Sequence, residues 1–217
     1  LPSILGDNMV LQQQAEVKLW GKARPNATVT VKTSWNGQTY KFSSDGKGGW
    51  SLTVSTPVAG GPYKIIFNDG ELLTLQNVLI GEVWFCSGQS NMEMPMGCFD
   101  RQPVRGANDI IAKAKPSTPI RMYTTDSKDG RWVRQFSKTP AEDCQGEWLE
   151  NTPVNVSHIS AVSYYFARYI QEVLEVPVGI VVSTWGGSRI EAWMSRESIK
   201  PFSSIDLSIL DNDAEVK

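Results

Sequence analysis

The sequence predicts a parallel α/β layer preceded by a small antiparallel β-sandwich, and three observations carry this prediction. Short segments that alternate apolar and polar residues fill the first third of the chain. Two nearly continuous apolar runs follow, at residues 79–87 and 178–185, and a long amphipathic segment lies between them. Alternation indicates half-buried strands, whereas continuous apolar runs are typical of strands buried on both faces of a parallel sheet.

The strands of the first third are short and are separated by turn signals. Asn36-Gly37 and Asp69-Gly70 are strong hairpin signals, because these residues tolerate a positive φ. Each strand has one apolar face, which must pack on a second sheet. We therefore predict an immunoglobulin-like or jelly-roll-like sandwich domain over residues 1–77. Its predicted strands are residues 17–20, 27–35, 38–44, 50–55, 63–69 and 72–79.

From residue 78 the pattern changes to alternating strands and helices, which predicts a second domain over residues 78–217 that joins the first directly. Besides the two apolar runs we predict a strand at 120–124 and helices at 107–115 and 160–176, the second ended by Pro177. In such sheets, chemistry sits beyond the carboxyl ends of the strands. The predicted apolar face of the long helix comprises Ala161, Val162, Tyr165, Phe166, Tyr169, Ile170, Val173 and Leu174.

Composition and charge argue against several kinds of partner. The formal net charge is -2, and the 21 lysines and arginines are scattered, so nothing points to nucleic acid or to an anionic membrane surface. No apolar run approaches the roughly 20 residues that a membrane span needs. The three cysteines, Cys86, Cys98 and Cys144, lack metal-ligand spacing, so we expect no metal. We favour a disulfide between Cys98 and Cys144, which both lie in loop-like sequence, while three free thiols stay open.

Two loops follow the buried strands and carry groups suited to catalysis. Ser90 lies just past the first apolar run, where a hydroxyl can be exposed on a tight turn as a nucleophile. The pattern G-x-S-x-G is not met, because Met92 stands at the second glycine position. On spacing alone we favour a helix-capping serine, and Ser87 competes as the nucleophile. In the second loop, Gly186-Gly187 either directs N–H groups at developing negative charge or forms an ordinary strand-to-helix turn.

The string GEVWFCSGQSNMEMPM, residues 81–96, resembles the start of the catalytic domain in sialate O-acetylesterases and related carbohydrate acetylesterases of the SGNH/GDSL-type hydrolase superfamily. STWGGSRIEAWMS is similar to the second signature of that family, and HISAVSYYFARYI to the helix between the two. DNMVLQQ, VKLWGKA, DGKGGWSLTV and GGPYKIIF resemble the β-rich domain that precedes the hydrolase in bacterial members. The resemblance implies an α/β SGNH-hydrolase-type parallel sheet, incomplete in this chain, after a small antiparallel β-sandwich domain.

Residue by residue, the resemblance implies that Ser90 is the nucleophile and that the N–H groups of Ser90 and Gly187 hold the oxyanion. Neither a metal nor an organic cofactor is expected. By themselves, Trp185 could equally be a core residue, and Arg189 with Glu191 a solvated pair on a helix. The further residues that the resemblance places at the turn or around the site are Gln89, Asn91, Trp185, Gly186, Arg189 and Glu191.

The sequence departs from the family pattern at the general base, without which a serine hydroxyl is inert. The family uses a histidine in a late Asp-x-His-type motif and has a late QGE-type block. The single histidine, His158, precedes the long helix, and Gln145-Gly146-Glu147 does not follow an apolar strand. We therefore expect an N-terminal part of a longer hydrolase, with the catalytic histidine and acid beyond residue 217. Alone, it should be inactive or poorly stable, with an exposed sheet edge and apolar patch.

The function that the resemblance implies is a serine esterase that removes O-acetyl groups from carbohydrates through an acetyl-enzyme. The acetyl ester belongs to sialic acid or to a plant polysaccharide, and the setting is periplasmic or secreted. The expected partners are the acetylated carbohydrate and the C-terminal remainder of the same enzyme, with no nucleic acid and no membrane. A non-catalytic carbohydrate-binding or assembly module is the main alternative, and a peptidase with the same triad is another.

Overall fold

The computed structural model describes residues 1–128, 131–132 and 141–208, so the end of the predicted second domain, 209–217, lies outside the described residues. Its helices are α1 (Ser90–Glu93), α2 (Ala107–Ala112), α3 (Pro153–His158), α4 (Ala161–Leu174) and α5 (Arg196–Ile199), with a 3₁₀ helix at Ile190–Trp193. Its strands are β1 (Val10–Gln12), β2 (Glu16–Lys22), β3 (Thr28–Thr33), β4 (Thr39–Ser43), β5 (Gly49–Ser55), β6 (Gly60–Asn68), β7 (Leu72–Gly88), β8 (Ile120–Thr124), β9 (Ser127–Lys128), β10 (Arg131–Trp132), β11 (Trp148–Glu150) and β12 (Val178–Thr184).

The two apolar runs lie side by side in the centre of a mixed eight-stranded sheet. The strand order is β11-β8-β12-β7-β6-β3-β4, and β1 also pairs with β7. β12 is parallel to β8 and to the carboxyl half of β7, whereas β11 is antiparallel at the edge. The predicted parallel strands are therefore present, within a sheet that also contains antiparallel strands.

The N-terminal strands form two layers around one core. β2 pairs with β5, and β3 pairs with β4 and β6, all antiparallel. Leu19 of β2 and Val54 of β5 are fully buried in the same cluster as Val31 of β3. Their alternation matches a layer with one apolar face. A separate sandwich domain over residues 1–77 stays a prediction.

β7 crosses the predicted boundary between residues 77 and 78 without a break. Its amino half pairs antiparallel with β6, and its carboxyl half pairs parallel with β12. The segments predicted as separate strands at 72–79 and 79–87 are thus one strand. At the transition, a Cβ on Gly81 would lie 2.0 Å from the carbonyl oxygen of Pro177, so only glycine allows β12 to begin this close.

The buried face of the long helix α4 is narrower than the apolar face that the sequence pattern predicts. It begins after Ser160, whose hydroxyl accepts from the Ser163 N–H, and its buried residues are Ala161, Ser163, Tyr164 and Ala167. Much of the predicted apolar face is exposed instead. Exposed residues of that face, which we call the uncovered face of α4, are Val162, Tyr165, Phe166, Tyr169, Val173 and Leu174.

An open strand edge lies near the uncovered face of α4. Among the described residues, positions 83–88 of β7 pair with β12 alone. Trp84 packs edge-on against Phe166 of α4, with ring centroids 5.0 Å apart, and still remains exposed. Phe85 points to the opposite face of the sheet and is 67% exposed. These exposed aromatic residues and the open edge form an apolar surface on this side of the sheet.

The favoured disulfide between Cys98 and Cys144 is wrong, because all three cysteines are free. The Cys144 sulfur lies 3.4 Å from the Tyr123 hydroxyl, against the N-terminal core. Cys98 instead adjoins Gly97, whose N–H donates to the Ser157 carbonyl at the end of α3. The position of both cysteines in loop-like sequence therefore did not imply that their sulfur atoms lie close together. Cys86 is buried beneath α4, and burial raises the pKa of its thiol.

Candidate active site

The Ser90 turn begins where β7 leaves the sheet. Gly88 has φ 152°, and a Cβ there would lie 2.9 Å from Cγ of Met92, so glycine permits the turn. Gln89 is the N-cap of α1 and makes no capping bond with its side chain. Ser90 is the first helical residue and is exposed; its hydroxyl donates to Oε1 of Gln89 at 3.3 Å. Gln89, not Ser90, therefore occupies the N-cap position, and Ser90 is exposed to solvent.

The glycine loop reaches the same edge of the sheet. Thr184, the last residue of β12, pairs with Gly88. The Trp185 N–H then donates to the Gly88 carbonyl at 3.0 Å. A Cβ on Gly186 would lie 3.7 Å from Oγ of Ser90, so the two loops that the sequence singled out do meet. Gly187 is exposed, has φ 76° and has open space around it.

A carboxylate that the sequence analysis missed joins the two loops. Glu93 is half-buried, and its Oε2 accepts a short hydrogen bond from the Gly186 N–H. The Glu93 N–H in turn donates to the Gln89 carbonyl at 2.9 Å. Because residues three apart share one side of a helix, Glu93 lies on the side of α1 that carries Ser90. That spacing was the available signal.

The other predicted site residues lie on the two loops or directly after them. Asn91 is exposed on α1, and Trp185 is half-buried with its carbonyl accepting from the Ser188 hydroxyl at 2.7 Å. Arg189 is exposed before the 3₁₀ helix, and Glu191 is half-buried within it. Across the described part of the chain no ion pair joins these two residues.

His158 lines a small cavity that Glu93 of the nucleophile helix also borders. This cavity, of about 140 Å³, is bordered by Glu147 of the QGE string as well. Within the described ranges, Ser90 has its hydrogen bond to Gln89 and none to His158. Gly146 packs against Tyr123, since a Cβ there would lie 2.5 Å from the ring. Neither QGE nor His158 presents a base to the nucleophile in this arrangement.

Two negative findings apply to residues 1–128, 131–132 and 141–208. No group of three or more histidine, cysteine, aspartate or glutamate side chains is placed to hold a metal ion. No helix in these ranges has the length and apolar character needed to cross a membrane.

Comparison with known proteins relates the chain to one group of enzymes, although no protein-family profile matches it. The chain is 30% identical over 216 residues to the sialate O-acetylesterases of Homo sapiens and Pongo abelii; each match covers 91% of this chain and 39% of the relative. Among solved structures, a carbohydrate acetylesterase from Xanthomonas citri superposes with a TM-score of 0.82 and 32% identity. That match covers 98% of this chain and 45% of the other.

The mixed sheet gives the chain an α/β-hydrolase-like fold, and the proteins that it matches are named as esterases of carbohydrates. The chain belongs to the family of sialate O-acetylesterases and related carbohydrate acetylesterases. It spans 39% of the length of the curated relatives that it matches.

Proposed function

We propose that the protein containing these residues is a serine esterase that removes O-acetyl groups from carbohydrates. The observation that carries this proposal is the meeting of an exposed Ser90 with the Gly186-Gly187 loop at the carboxyl edge of the sheet. Family membership supports the substrate class, and a periplasmic or secreted location would suit enzymes that act on extracellular glycans. Either sialic acid or a plant polysaccharide carries the acetyl group.

The reaction begins with attack of the Ser90 oxygen on the acetyl carbonyl carbon. A base takes the hydroxyl proton, the carbonyl π electrons move onto oxygen, and the resulting oxyanion accepts hydrogen bonds from the N–H groups of Ser90 and Gly187. Among the described residues, the Gly187 N–H donates to no acceptor, which supports its availability. Collapse of this intermediate breaks the bond to the sugar oxygen, which takes the proton from the protonated base and leaves as a hydroxyl. Water, deprotonated by the same base, then attacks the acetyl-enzyme, which releases acetate and the Ser90 hydroxyl.

The experiment that tests this function combines chemical labelling with product analysis on the full-length protein. A fluorophosphonate probe should attach to Ser90, identified by peptide mass spectrometry, because only an activated hydroxyl attacks such phosphorus centres. The protein should release acetate from O-acetylated sialic acid or from acetylated xylan, and the comparison selects the sugar. Absence of label from Ser90 in a protein that does release acetate would overturn the assignment of the nucleophile.

The base and its carboxylate belong, in this proposal, to the C-terminal remainder of the same protein. The support is the open edge of β7, the uncovered face of α4 and the absence, among the described residues, of a hydrogen bond between Ser90 and His158. A further strand would pair with residues 83–88 of β7, and its flanking chain would cover Trp84 and Tyr169.

Residues 1–217 expressed alone are therefore expected to release no acetate above the uncatalysed rate, since Ser90 would lack a base. The matched comparison is the full-length protein under the same conditions, with release of acetate from an acetylated sugar as the readout. Turnover by residues 1–217 at the full-length rate would contradict a base from the remainder and return attention to His158.

A further inference from the structure

Two consecutive backbone N–H groups, those of Trp185 and Gly186, hold the glycine loop by hydrogen bonds. The next N–H along the chain, that of Gly187, is the proposed oxyanion donor. The Trp185 N–H donates to the Gly88 carbonyl, and the Gly186 N–H donates to Oε2 of Glu93. The Gly187 N–H has no acceptor among the described residues. The first anchor continues the sheet, whereas the second depends on one side chain.

We infer that Glu93 is a positioning residue, which fixes the Gly187 N–H relative to the Ser90 hydroxyl by holding the intervening Gly186 amide. This inference rests on the proposed esterase function and deepens it. In this role Glu93 acts through the backbone of the loop, by accepting the hydrogen bond of the Gly186 N–H.

The loop needs such an anchor because its two glycines leave the backbone unusually free. Two adjacent residues without Cβ sample many φ/ψ values, and Gly187 already has φ 76°. A donor stabilises the oxyanion only if it lies about 2.7–3.1 Å from it, and a displacement of about 1 Å can cost about 100-fold in rate. Glu93 lies on the same short helix as Ser90, so it ties the oxyanion donor to the element that bears the nucleophile.

The local packing shows how closely the three groups are arranged. A Cβ on Gly186 would lie 2.8 Å from Oε2 of Glu93 and 3.7 Å from Oγ of Ser90. A methyl group at Gly186 would therefore displace the carboxylate, while removal of the carboxylate would leave the Gly186 N–H without its acceptor. Both changes should loosen the same contact from opposite sides.

The variants are made in the full-length protein and assayed for acetyl-ester hydrolysis. Glu93→Ala should lower kcat about 10- to 100-fold with KM changed less than about 3-fold, because the donor matters most in the transition state. Glu93→Gln should restore most of kcat, since its amide oxygen can still accept from Gly186. Glu71→Ala, at an exposed turn glutamate, is the matched control and should equal the wild type.

Gly186→Ala provides an independent measurement where Glu93→Ala fails to fold, and it should reproduce the kcat loss. The double variant should lose little more than either single change, because both act on one contact. Wild-type kcat for Glu93→Ala, alongside an inactive Ser90→Ala, would overturn the positioning role alone. Additive losses, or an equal loss for Glu93→Gln, would overturn it as well. Full activity of Ser90→Ala would instead overturn the underlying function.

Discussion

Ser90→Ala in the full-length protein is expected to lower kcat for acetyl-ester hydrolysis by at least about 1,000-fold, with sugar binding retained. The acetyl-enzyme requires an oxygen nucleophile at this position, and a methyl group cannot replace it. The hydroxyl is exposed and bonds only weakly to Gln89 at 3.3 Å, so its loss should not disturb the turn. Steady-state kinetics with p-nitrophenyl acetate, together with binding of the deacetylated sugar, measures both effects.

Ser87→Ala is the matched control for this prediction. Ser87 is also exposed, but it lies inside β7, opposite Ser183 of β12, rather than on the turn. The control is expected to hydrolyse esters at the wild-type rate. The opposite pattern would make Ser87 the nucleophile. Undiminished hydrolysis by Ser90→Ala, with sugar binding intact, would end the esterase proposal in its present form and favour the carbohydrate-binding alternative.

Gly81→Ala is expected to lower the free energy of unfolding by about 3 kcal/mol. A Cβ at this position would meet the Pro177 carbonyl oxygen at 2.0 Å and its carbon at 2.7 Å, and both atoms belong to backbone. The contact lies where β7 passes from β6 to β12, so neither strand can move without loss of ladder hydrogen bonds. Urea unfolding of the full-length protein, followed by intrinsic fluorescence, gives the difference.

Gly46→Ala is the comparison for this second prediction, because it makes the same chemical change without the contact. Gly46 is exposed in a turn, and a Cβ there has no neighbour within 4 Å. Its free energy of unfolding should differ from the wild type by less than about 0.5 kcal/mol. Equal stabilities for Gly81→Ala and Gly46→Ala would mean that the start of β12 can shift away from β7 at little cost.

The sequence predicted individual elements well where the signal was local. The strand at residues 120–124 is found at those bounds, and the long helix begins one residue later than expected, after its Ser160 cap. The merging of two predicted strands into β7 was missed, because pairing partners on each half of a strand are long-range information. The cysteine pairing failed for the same reason, since loop-like sequence says nothing of which loops meet.

The candidate site also contains residues that the sequence singled out and one that it did not. Ser90, Gly186 and Gly187 were singled out by the resemblance of their strings to the family signatures, since spacing alone favoured a capping serine and left the role of the glycine pair open. Glu93 was overlooked, because a glutamate on a short helix is ordinary until its partner is known, and that partner lies 93 residues further along the chain. Arg189 and Glu191 are two residues apart, and side chains at this spacing do not face each other on a helix.

The sequence by itself determined most of the segments that become strands and helices, and it singled out the two loops as candidates for the site, because periodicity and residue type act over a few neighbours. Only the tertiary structure decided that these loops meet at one sheet edge, that Glu93 ties them together, and that one side of α4 stays exposed. Those features depend on strand order and register, and contacts between distant segments arise only when the whole sheet assembles.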